Sequence, residues 1–305
     1  MPANELGGIL NVLKPPGMTS FDVVGYLRKV LKIKRIGHTG TLDPAATGVL
    51  TVCVGQATKA IEYMVDKDKL YRAELTLGIA TDTQDHTGEV LASGTVDVTD
   101  EDIRKALKTF IGRYRQVPPM YSAVKIGGKK LYELAREGVT VEREPREVEI
   151  FSLEIINIKR EISGTVKILF DVHCSKGTYI RTLCADAGER LGCGGHMSFL
   201  VRLKAGEFDI ASAVTVEELG ELAESGSLKT RMLPVDSAFR AMKRLQLDAG
   251  ASRKLANGAR VGLKNREFQP GETLTVYDEN NSFFALGETF MSNQELMLKS
   301  KKLFV

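Results

Sequence analysis

Short strands and helices alternate irregularly along this chain of 305 residues, and this irregularity limits the folds open to it. Apolar or alternating runs predict strands at Ile9 to Leu13, Val49 to Val54, Tyr71 to Leu77 and Val166 to Val172. A doubly wound parallel sheet requires a regular strand–helix repeat, which is missing from this pattern. The sequence therefore predicts a mixed α+β fold, with a mainly antiparallel sheet flanked by helices and loops.

Two helices have clear start signals. The first begins after Thr19 or Ser20 and runs to about Leu31. Its expected apolar face consists of Phe21, Val24, Leu27 and Leu31. The second begins after Thr99 or Asp100, and the polar stretch Asp82 to Gly88 before it predicts a hairpin turn.

The chain length favours two domains. A boundary is indicated after Leu233-Pro234-Val235-Asp236, beyond which short strands such as Thr273 to Tyr277 predominate. Turn signals follow one another at Asn257-Gly258, Pro270-Gly271 and Asn280-Asn281. We therefore expect a larger domain at residues 1–240 and a small β-rich domain at residues 241–305.

Charge and location give weaker constraints. The net charge is only +3, so the distribution of cations matters more than their number. Lys32, Lys34 and Arg35 form one local group, which suits either solvated surface or a nucleic-acid contact. No signal peptide or membrane-spanning run is evident, and we expect a cytoplasmic protein with reduced thiols.

The four cysteines do not predict a metal site. Cys174, Cys184 and Cys193 are separated by ten and nine residues, while Cys53 is remote. Structural zinc sites use pairs only two to four residues apart. Buried thiols without metal are therefore expected.

The segment from Gly37 to Gly48 is rich in glycine and contains two residues capable of chemistry, His38 and Asp43. Pro44 restricts Asp43 to extended backbone geometry. The loop thus suits the fixed presentation of a carboxylate. An Asx-type turn, in which Asp43 caps local amides, explains the same spacing.

Six separated segments, in order between residues 9 and 205, resemble the tRNA pseudouridine-55 synthases that act alone on the T loop of transfer RNA. The segments are Lys14-Pro15-Pro16-Gly17-Met18-Thr19-Ser20, Gly37 to Gly48, Gly55-Gln56-Ala57-Thr58-Lys59, Asp68-Lys69-Leu70-Tyr71, Val117 to Ala123 and Lys176 to Arg181. Their combination is far more specific than any one of them.

The resemblance implies roles for individual residues. Asp43 would be the catalytic nucleophile, Arg181 its ion-pair partner, and Tyr71 the aromatic ring against the flipped uracil. Arg181 is expected to keep Asp43 ionised by lowering its pKa. Tyr71 is also a candidate to take the C5 proton, as is water. Without the resemblance, Tyr71 fits a core position and Arg181 a surface position.

Further residues are implied to bind the substrate. His38 would enter the T loop, Tyr179 and Leu200 would line the pocket, and Lys14 would support the site. The insertion at 116–146 would clasp the RNA, using the flexibility of Gly127-Gly128. Its expected phosphate contacts are Lys125, Lys129 and Lys130. A helix is predicted from Leu131 to Arg136, and residues 241–305 resemble a PUA RNA-binding domain.

The implied reaction is conversion of uridine 55 to pseudouridine by base flipping, glycosidic cleavage and C5–C1′ reattachment. It needs no cofactor or metal. The expected partner is the tRNA T stem-loop, with no membrane, no obligate protein partner and a monomeric state. One alternative is a T-loop binding or folding protein without catalysis. Another is the guide-RNA-dependent relative, from which the 116–146 insertion distinguishes this chain.

Overall fold

The computed structural model of the chain describes residues 7–263 and 267–304. Residues 1–6, 264–266 and 305 belong to the two predicted domains but lie outside the described residues. The helices are α1 Ser20–Leu31, α2 Ile61–Met64, α3 Asp100–Lys108, α4 Leu131–Arg136, α5 Ile180–Arg190, α6 Val216–Glu224 and α7 Ala249–Ala256.

The strands of the first 215 residues are β1 Gly8–Lys14, β2 Ile36–His38, β3 Thr47–Val54, β4 Lys69–Leu77, β5 Ile79–Thr81, β6 Val90–Ser93, β7 Gly112–Gln116, β8 Lys125–Ile126, β9 Lys129–Lys130, β10 Arg146–Arg160, β11 Val166–Cys174, β12 Gly195–Ala205, β13 Phe208–Asp209 and β14 Val214–Thr215. The later strands are β15 Arg244–Gln246, β16 Val261–Gly262, β17 Thr273–Tyr277, β18 Phe283–Ser292 and β19 Glu295–Leu303.

A large sheet forms the centre of the first part of the chain. Its strands run in the order β14-β1-β3-β12-β4-β11-β10-β7. Outside this order, β2 pairs with β3 and β13 pairs with β12. Most pairs are antiparallel, while β1–β14 and β3–β12 are parallel. The irregular order explains the absence of a strand–helix repeat in the sequence, and the mixed α+β prediction is confirmed.

The C-terminal β domain has its own sheet, in the order β15-β17-β18-β19-β16. Leu255, Leu274, Val276 and Leu298 belong to its separate apolar core. A further apolar cluster joins Ile9 and Val49 of the large sheet to Phe239, Leu286 and Phe304. The two sheets therefore pack against each other through apolar side chains.

Helix α1 begins as predicted but presents a different face to the core. Thr19 caps it, accepting from the Asp22 amide while Asp22 accepts from the Thr19 amide. Val23, Val24 and Leu27 are buried. Phe21, predicted to face the core, is 69% exposed, so that prediction is wrong. The true apolar stripe starts two residues later.

Two other local predictions are confirmed. Asp82 to Gly88 connects the antiparallel pair β5 and β6 as a hairpin turn, and α4 occupies Leu131–Arg136. Within the described residues, no helix is long and apolar enough to cross a membrane. In the same part of the chain, no three His, Cys, Asp or Glu side chains lie together as metal ligands would.

Gly48, the last residue of the glycine-rich segment, allows the backbones of β3 and β12 to approach each other closely. Its φ is +112°, outside the range that other residues adopt readily. A Cβ placed there would lie 2.3 Å from the Arg202 carbonyl oxygen and 2.6 Å from its nitrogen. The parallel pairing of Gly48 with Arg202 thus requires the absence of a side chain.

We expect Gly48→Ala to lower the free energy of unfolding by at least about 2 kcal/mol more than Gly164→Ala does. Gly164 also has positive φ, +87°, but a Cβ there meets nothing within 4 Å. The matched pair separates backbone strain, about 1–2 kcal/mol, from the clash with β12. Urea unfolding of both variants measures the difference, and equal losses would contradict the close-approach argument.

Candidate active site

The loop that carries Asp43 is fixed at several points of its backbone. The Leu42 amide donates to Ser20 Oγ at 2.9 Å, and the Gly17 amide donates to the Pro44 carbonyl at 2.8 Å. These bonds tie the loop to the start of α1. The Asp43 carbonyl also accepts from the Ala46 amide at 3.1 Å. Asp43 therefore occupies one defined position shortly before the start of β3.

Arg181 holds the Asp43 carboxylate in a two-pronged ion pair. Its Nε lies 2.8 Å from Asp43 Oδ2, and its Nη2 donates to Oδ1 at 3.2 Å. The Arg181 side chain is only 5% exposed, whereas that of Asp43 is 34% exposed. This fork geometry fixes the plane of the carboxylate while leaving part of it open to a substrate.

Two further carbonyls and a second carboxylate surround Arg181. Nη1 donates to the Thr83 carbonyl at 3.2 Å, and Nη2 donates to the Tyr121 carbonyl at 2.8 Å. Asp85 Oδ2 lies 3.9 Å from Nε. The opposite oxygen, Asp85 Oδ1, accepts from Thr87 N at 2.9 Å and Thr87 Oγ1 at 2.6 Å. The hairpin turn thus supplies a buried second carboxylate.

Burial raises the pKa of Asp43 above its ordinary value. The Arg181 charge opposes this effect, the Asp85 charge adds to it, and Lys14 opposes it more weakly. The expectation that Arg181 would leave Asp43 with a lowered pKa is therefore wrong. Its attraction acts in the expected direction, but the cost of removing the carboxylate from water outweighs it.

Lys14 lies beneath the loop and is fully buried. Its Nζ donates to the carbonyls of Pro15 at 2.8 Å, Met18 at 2.6 Å and Pro44 at 3.2 Å. Burial lowers its pKa to about 8, against the attraction of Asp43. Lys14 therefore connects the two N-terminal motifs from within.

Tyr71 and Leu200 lie on neighbouring strands below the loop. Both are buried in the core cluster that also contains Leu42. Burial raises the pKa of the Tyr71 phenol, although the Arg202 charge opposes the rise. A phenol with a raised pKa stays protonated at neutral pH. The structure thus places Tyr71 in the core, in the same apolar cluster as Leu42 of the loop.

Arg202 was missed by the sequence analysis, although it lies opposite Tyr71 in the β4–β12 register. It is buried, and its guanidinium donates to the carbonyls of Val49 at 2.7 Å, Gly40 at 3.0 Å and Thr41 at 3.5 Å. It therefore fixes the start of the Asp43 loop against the sheet. An isolated arginine in a strand gives no sequence signal of such a role.

His38 ends β2 and lies at the entrance to the loop. Its Nδ1 accepts from the Gly40 amide at 3.3 Å, which assigns the proton to Nε2. Burial, followed by the Arg202 charge, lowers the pKa of His38 below its ordinary value. The ring meets Phe21 edge-on, with 5.2 Å between centroids. His38 is thus a neutral aromatic side chain at neutral pH.

Tyr179 is held by Gln116, another residue that the sequence analysis did not single out. The Gln116 amide group donates to the Tyr179 carbonyl at 2.9 Å and accepts from the Tyr179 amide at 2.7 Å. Tyr179 occupies the N-cap position of α5, two residues before Arg181, without a capping bond from its side chain. Gln116 therefore fixes the start of the helix that carries Arg181, and it does so from the first residue of the 116–146 insertion.

The insertion lysines lie apart from the ion pair. Lys125 is exposed on β8, Lys129 pairs with Glu137 at 3.2 Å, and Lys130 donates to Tyr132 Oη at 3.3 Å. Among the described residues, no hydrogen bond or ion pair joins these lysines to Asp43 or Arg181. The insertion reaches the site through the Tyr121 carbonyl and through Gln116.

Comparison with known proteins agrees with this architecture. Residues 28–180 match the TruB family pseudouridylate synthase N-terminal domain, and residues 181–240 match the tRNA pseudouridylate synthase B C-terminal domain. A tRNA pseudouridine synthase B from Alkaliphilus oremlandii is 53% identical over 84% of this chain and 83% of its own length. The same enzyme from Bacillus pumilus is 41% identical over 97% of each chain.

This chain belongs to the TruB family. Among solved structures, a Cbf5 chain from the crystal structure of a Cbf5-Nop10-Gar1 complex superposes with a TM-score of 0.75. It is 26% identical, and the match covers 98% of this chain and 85% of that chain. The two TruB segments meet between residues 180 and 181, so the Asp43–Arg181 ion pair joins one matched domain to the other.

We expect the activity of this TruB protein to fall as the pH is lowered through the pKa of Asp43, which lies above that of an ordinary aspartate. The carboxylate must be ionised to act, so protonation removes activity as pH falls through the Asp43 pKa. Asp85→Asn removes a like charge and should shift this acid limb of kcat/KM to lower pH. Asp82→Asn, an exposed change in the same turn, is the matched control.

The measurement is the pH profile of kcat/KM for the three proteins. A lower kcat in Asp85→Asn is compatible with the argument, because Arg181 also loses a neighbour. A limb that stays in place, or moves equally in both variants, would show that Asp85 does not act on the Asp43 charge.

Proposed function

We propose that this chain isomerises uridine 55 in the T loop of tRNA to pseudouridine, with Asp43 as the nucleophile. The observation that carries the proposal is the partly exposed Asp43 carboxylate fixed by the buried Arg181 guanidinium. Such a carboxylate can attack an electrophilic carbon at the same position in every catalytic cycle. Membership of the TruB family supports the reaction class.

The reaction breaks the N1–C1′ bond and forms a C5–C1′ bond within one nucleotide. The target uracil must first leave its stack, which costs a few kcal/mol. We assign His38 to entry into the loop and Tyr71, Tyr179 and Leu200 to the pocket that receives the base. The proton lost from C5 balances the one gained at N1, so no cofactor takes part.

The raised pKa of Tyr71 argues against this residue as the acceptor of the C5 proton. The phenolate would be the acting base, and burial disfavours that charged form. We therefore assign Tyr71 to stacking against the uracil ring. Of the two candidates for the C5 proton, Tyr71 and water, we propose water as the acceptor.

The domain roles form part of the same proposal. Residues 1–240 would catalyse, the insertion at 116–146 would clasp the RNA, and residues 241–305 would act as a PUA-like RNA-binding domain. Lys125, Lys129 and Lys130 would contact phosphates, since exposed pairs such as Lys129–Glu137 are weak enough to exchange partners. We place Lys14 beneath the loop as structural support.

We further propose that the chain acts as a monomer, in the cytoplasm, without protein partners. Relatives at 41–53% identity bear the name tRNA pseudouridine synthase B. The Cbf5 chain, which was solved in a complex with Nop10 and Gar1, is more distant at 26%. A monomer suffices because the proposed substrate is itself asymmetric and the ion pair forms within one chain.

We expect Asp43→Asn to abolish tritium release from tRNA labelled at C5 of uridine, lowering the rate by about a thousandfold or more. The substitution keeps the shape of the side chain but removes the nucleophile. Asp97→Asn, an exposed loop change, should release tritium like the unaltered protein. A transcript with cytidine at position 55 tests the site of reaction.

The tRNA affinity of each variant is measured in parallel. Absence of release by the unaltered, RNA-binding protein would overturn the enzyme proposal and leave a T-loop binding protein. Equal release by Asp43→Asn would preserve the enzyme but remove Asp43 from its centre.

A further inference from the structure

The outward face of α1 carries residues that the catalytic site does not use. Phe21, Gly25, Arg28 and Lys32 follow one another at helical spacing and form one stripe. All four are exposed. Phe21 and Lys32 are eleven positions apart, about 16 Å along the helix. The stripe therefore starts beside His38 and runs away from the Asp43 loop.

Phe21 supplies an unburied aromatic ring at the edge of the site. It is 69% exposed, and its only ring contact among the described residues is the edge-on pairing with His38 at 81°. A single exposed apolar residue needs no explanation elsewhere on a surface. Here the ring lies next to a residue already assigned to the RNA loop. Aromatic rings in such positions stack on unpaired bases.

A basic groove lies at the other end of the stripe. Arg28, Lys32, Ile33 and Lys34 line this open groove of about 410 Å³. Arg28 Nη2 donates to the Ile36 carbonyl at 2.8 Å, which connects the groove to β2 and His38. Within the described residues, neither Lys32 nor Lys34 forms an ion pair. The groove is thus cationic without a neutralising carboxylate.

Lys32 occupies a backbone position that normally favours glycine. It caps the C-terminus of α1 with φ +55° and ψ +31°, the left-handed conformation. A lysine is less favourable than glycine in that conformation. Interaction of the cation with the helix dipole offsets only part of this cost. Stability alone therefore does not account for a lysine at this position.

We propose that the outward face of α1 binds the RNA beside the target nucleotide, with Phe21 stacking on a loop base and Lys32 and Lys34 contacting phosphates of the adjoining stem. Gly25, between them, leaves open space because a Cβ there would meet nothing within 4 Å. The inference rests on the proposed function, since it concerns the same RNA.

The test measures the affinity of the full-length protein for a T stem-loop hairpin over a series of salt concentrations. Phe21→Ala should weaken binding by about tenfold at every salt concentration, and Phe21→Tyr should restore it, whereas Phe21→Leu should not. Lys32→Gly combined with Lys34→Ala should weaken binding and reduce the salt slope by about 1 to 2.

The matched control is Lys105→Ala combined with Lys108→Ala on α3, which removes the same charge. Helix α3 packs against β10 and α5, whereas α1 packs against β2 and α6 at the other end of the sheet. This control should leave the salt slope unchanged. Lys32→Gly alone should have an equal or higher Tm, so weaker RNA binding by that variant cannot be attributed to unfolding.

The outcomes separate this inference from the proposed function. If the unaltered protein forms pseudouridine but both sets of α1 variants bind the hairpin normally, the α1 surface is overturned alone. If the unaltered protein binds the hairpin without forming pseudouridine, the proposed function fails. The affinity of Phe21→Ala and the salt slope of the lysine variant then still decide whether α1 contacts the RNA.

Discussion

The buried guanidinium of Arg181 is the constraint on which the site depends. Once removed from water, its N–H groups need partners, and these come from separate parts of the chain: Asp43, the Thr83 carbonyl and the Tyr121 carbonyl. Loss of one partner of a buried ion pair costs about 3–5 kcal/mol. The loop, the hairpin turn and the insertion are therefore held together by one side chain, whose own helix start is fixed by Gln116.

This arrangement links the insertion to the carboxylate through physical contacts. Gln116 binds both backbone groups of Tyr179, and Tyr121 shares Arg181 Nη2 with Asp43. A displacement of the backbone at Tyr121 would remove one acceptor from Arg181 and change its interaction with Asp43. The insertion and the electrostatics of the Asp43 carboxylate are thus connected through a single guanidinium.

Local patterns predicted local structure well, and properties of the whole fold escaped them. Thr19 was one of two expected caps for α1, and the helix starts there. Periodicity placed Phe21 in the core because spacing cannot distinguish a buried stripe from an exposed aromatic on the same turn. Arg202 was missed because its acceptors come from two other segments of the chain. The pKa of Asp43 was given the wrong direction because a pair attraction is visible in a motif, whereas desolvation arises only after folding.

Two buried cations, Lys14 and Arg202, lie against the loop that carries Asp43. Lys14 and Arg202 are buried donors, and their hydrogen bonds go to backbone carbonyls rather than to carboxylates. Within the part of the chain that the structure describes, neither cation forms an ion pair, and the Arg202 charge opposes the effect of burial on the pKa of the Tyr71 phenol. Lys14 opposes the rise that burial causes in the pKa of Asp43. The same two side chains that position the loop thus also act on the charge states of Asp43 and Tyr71.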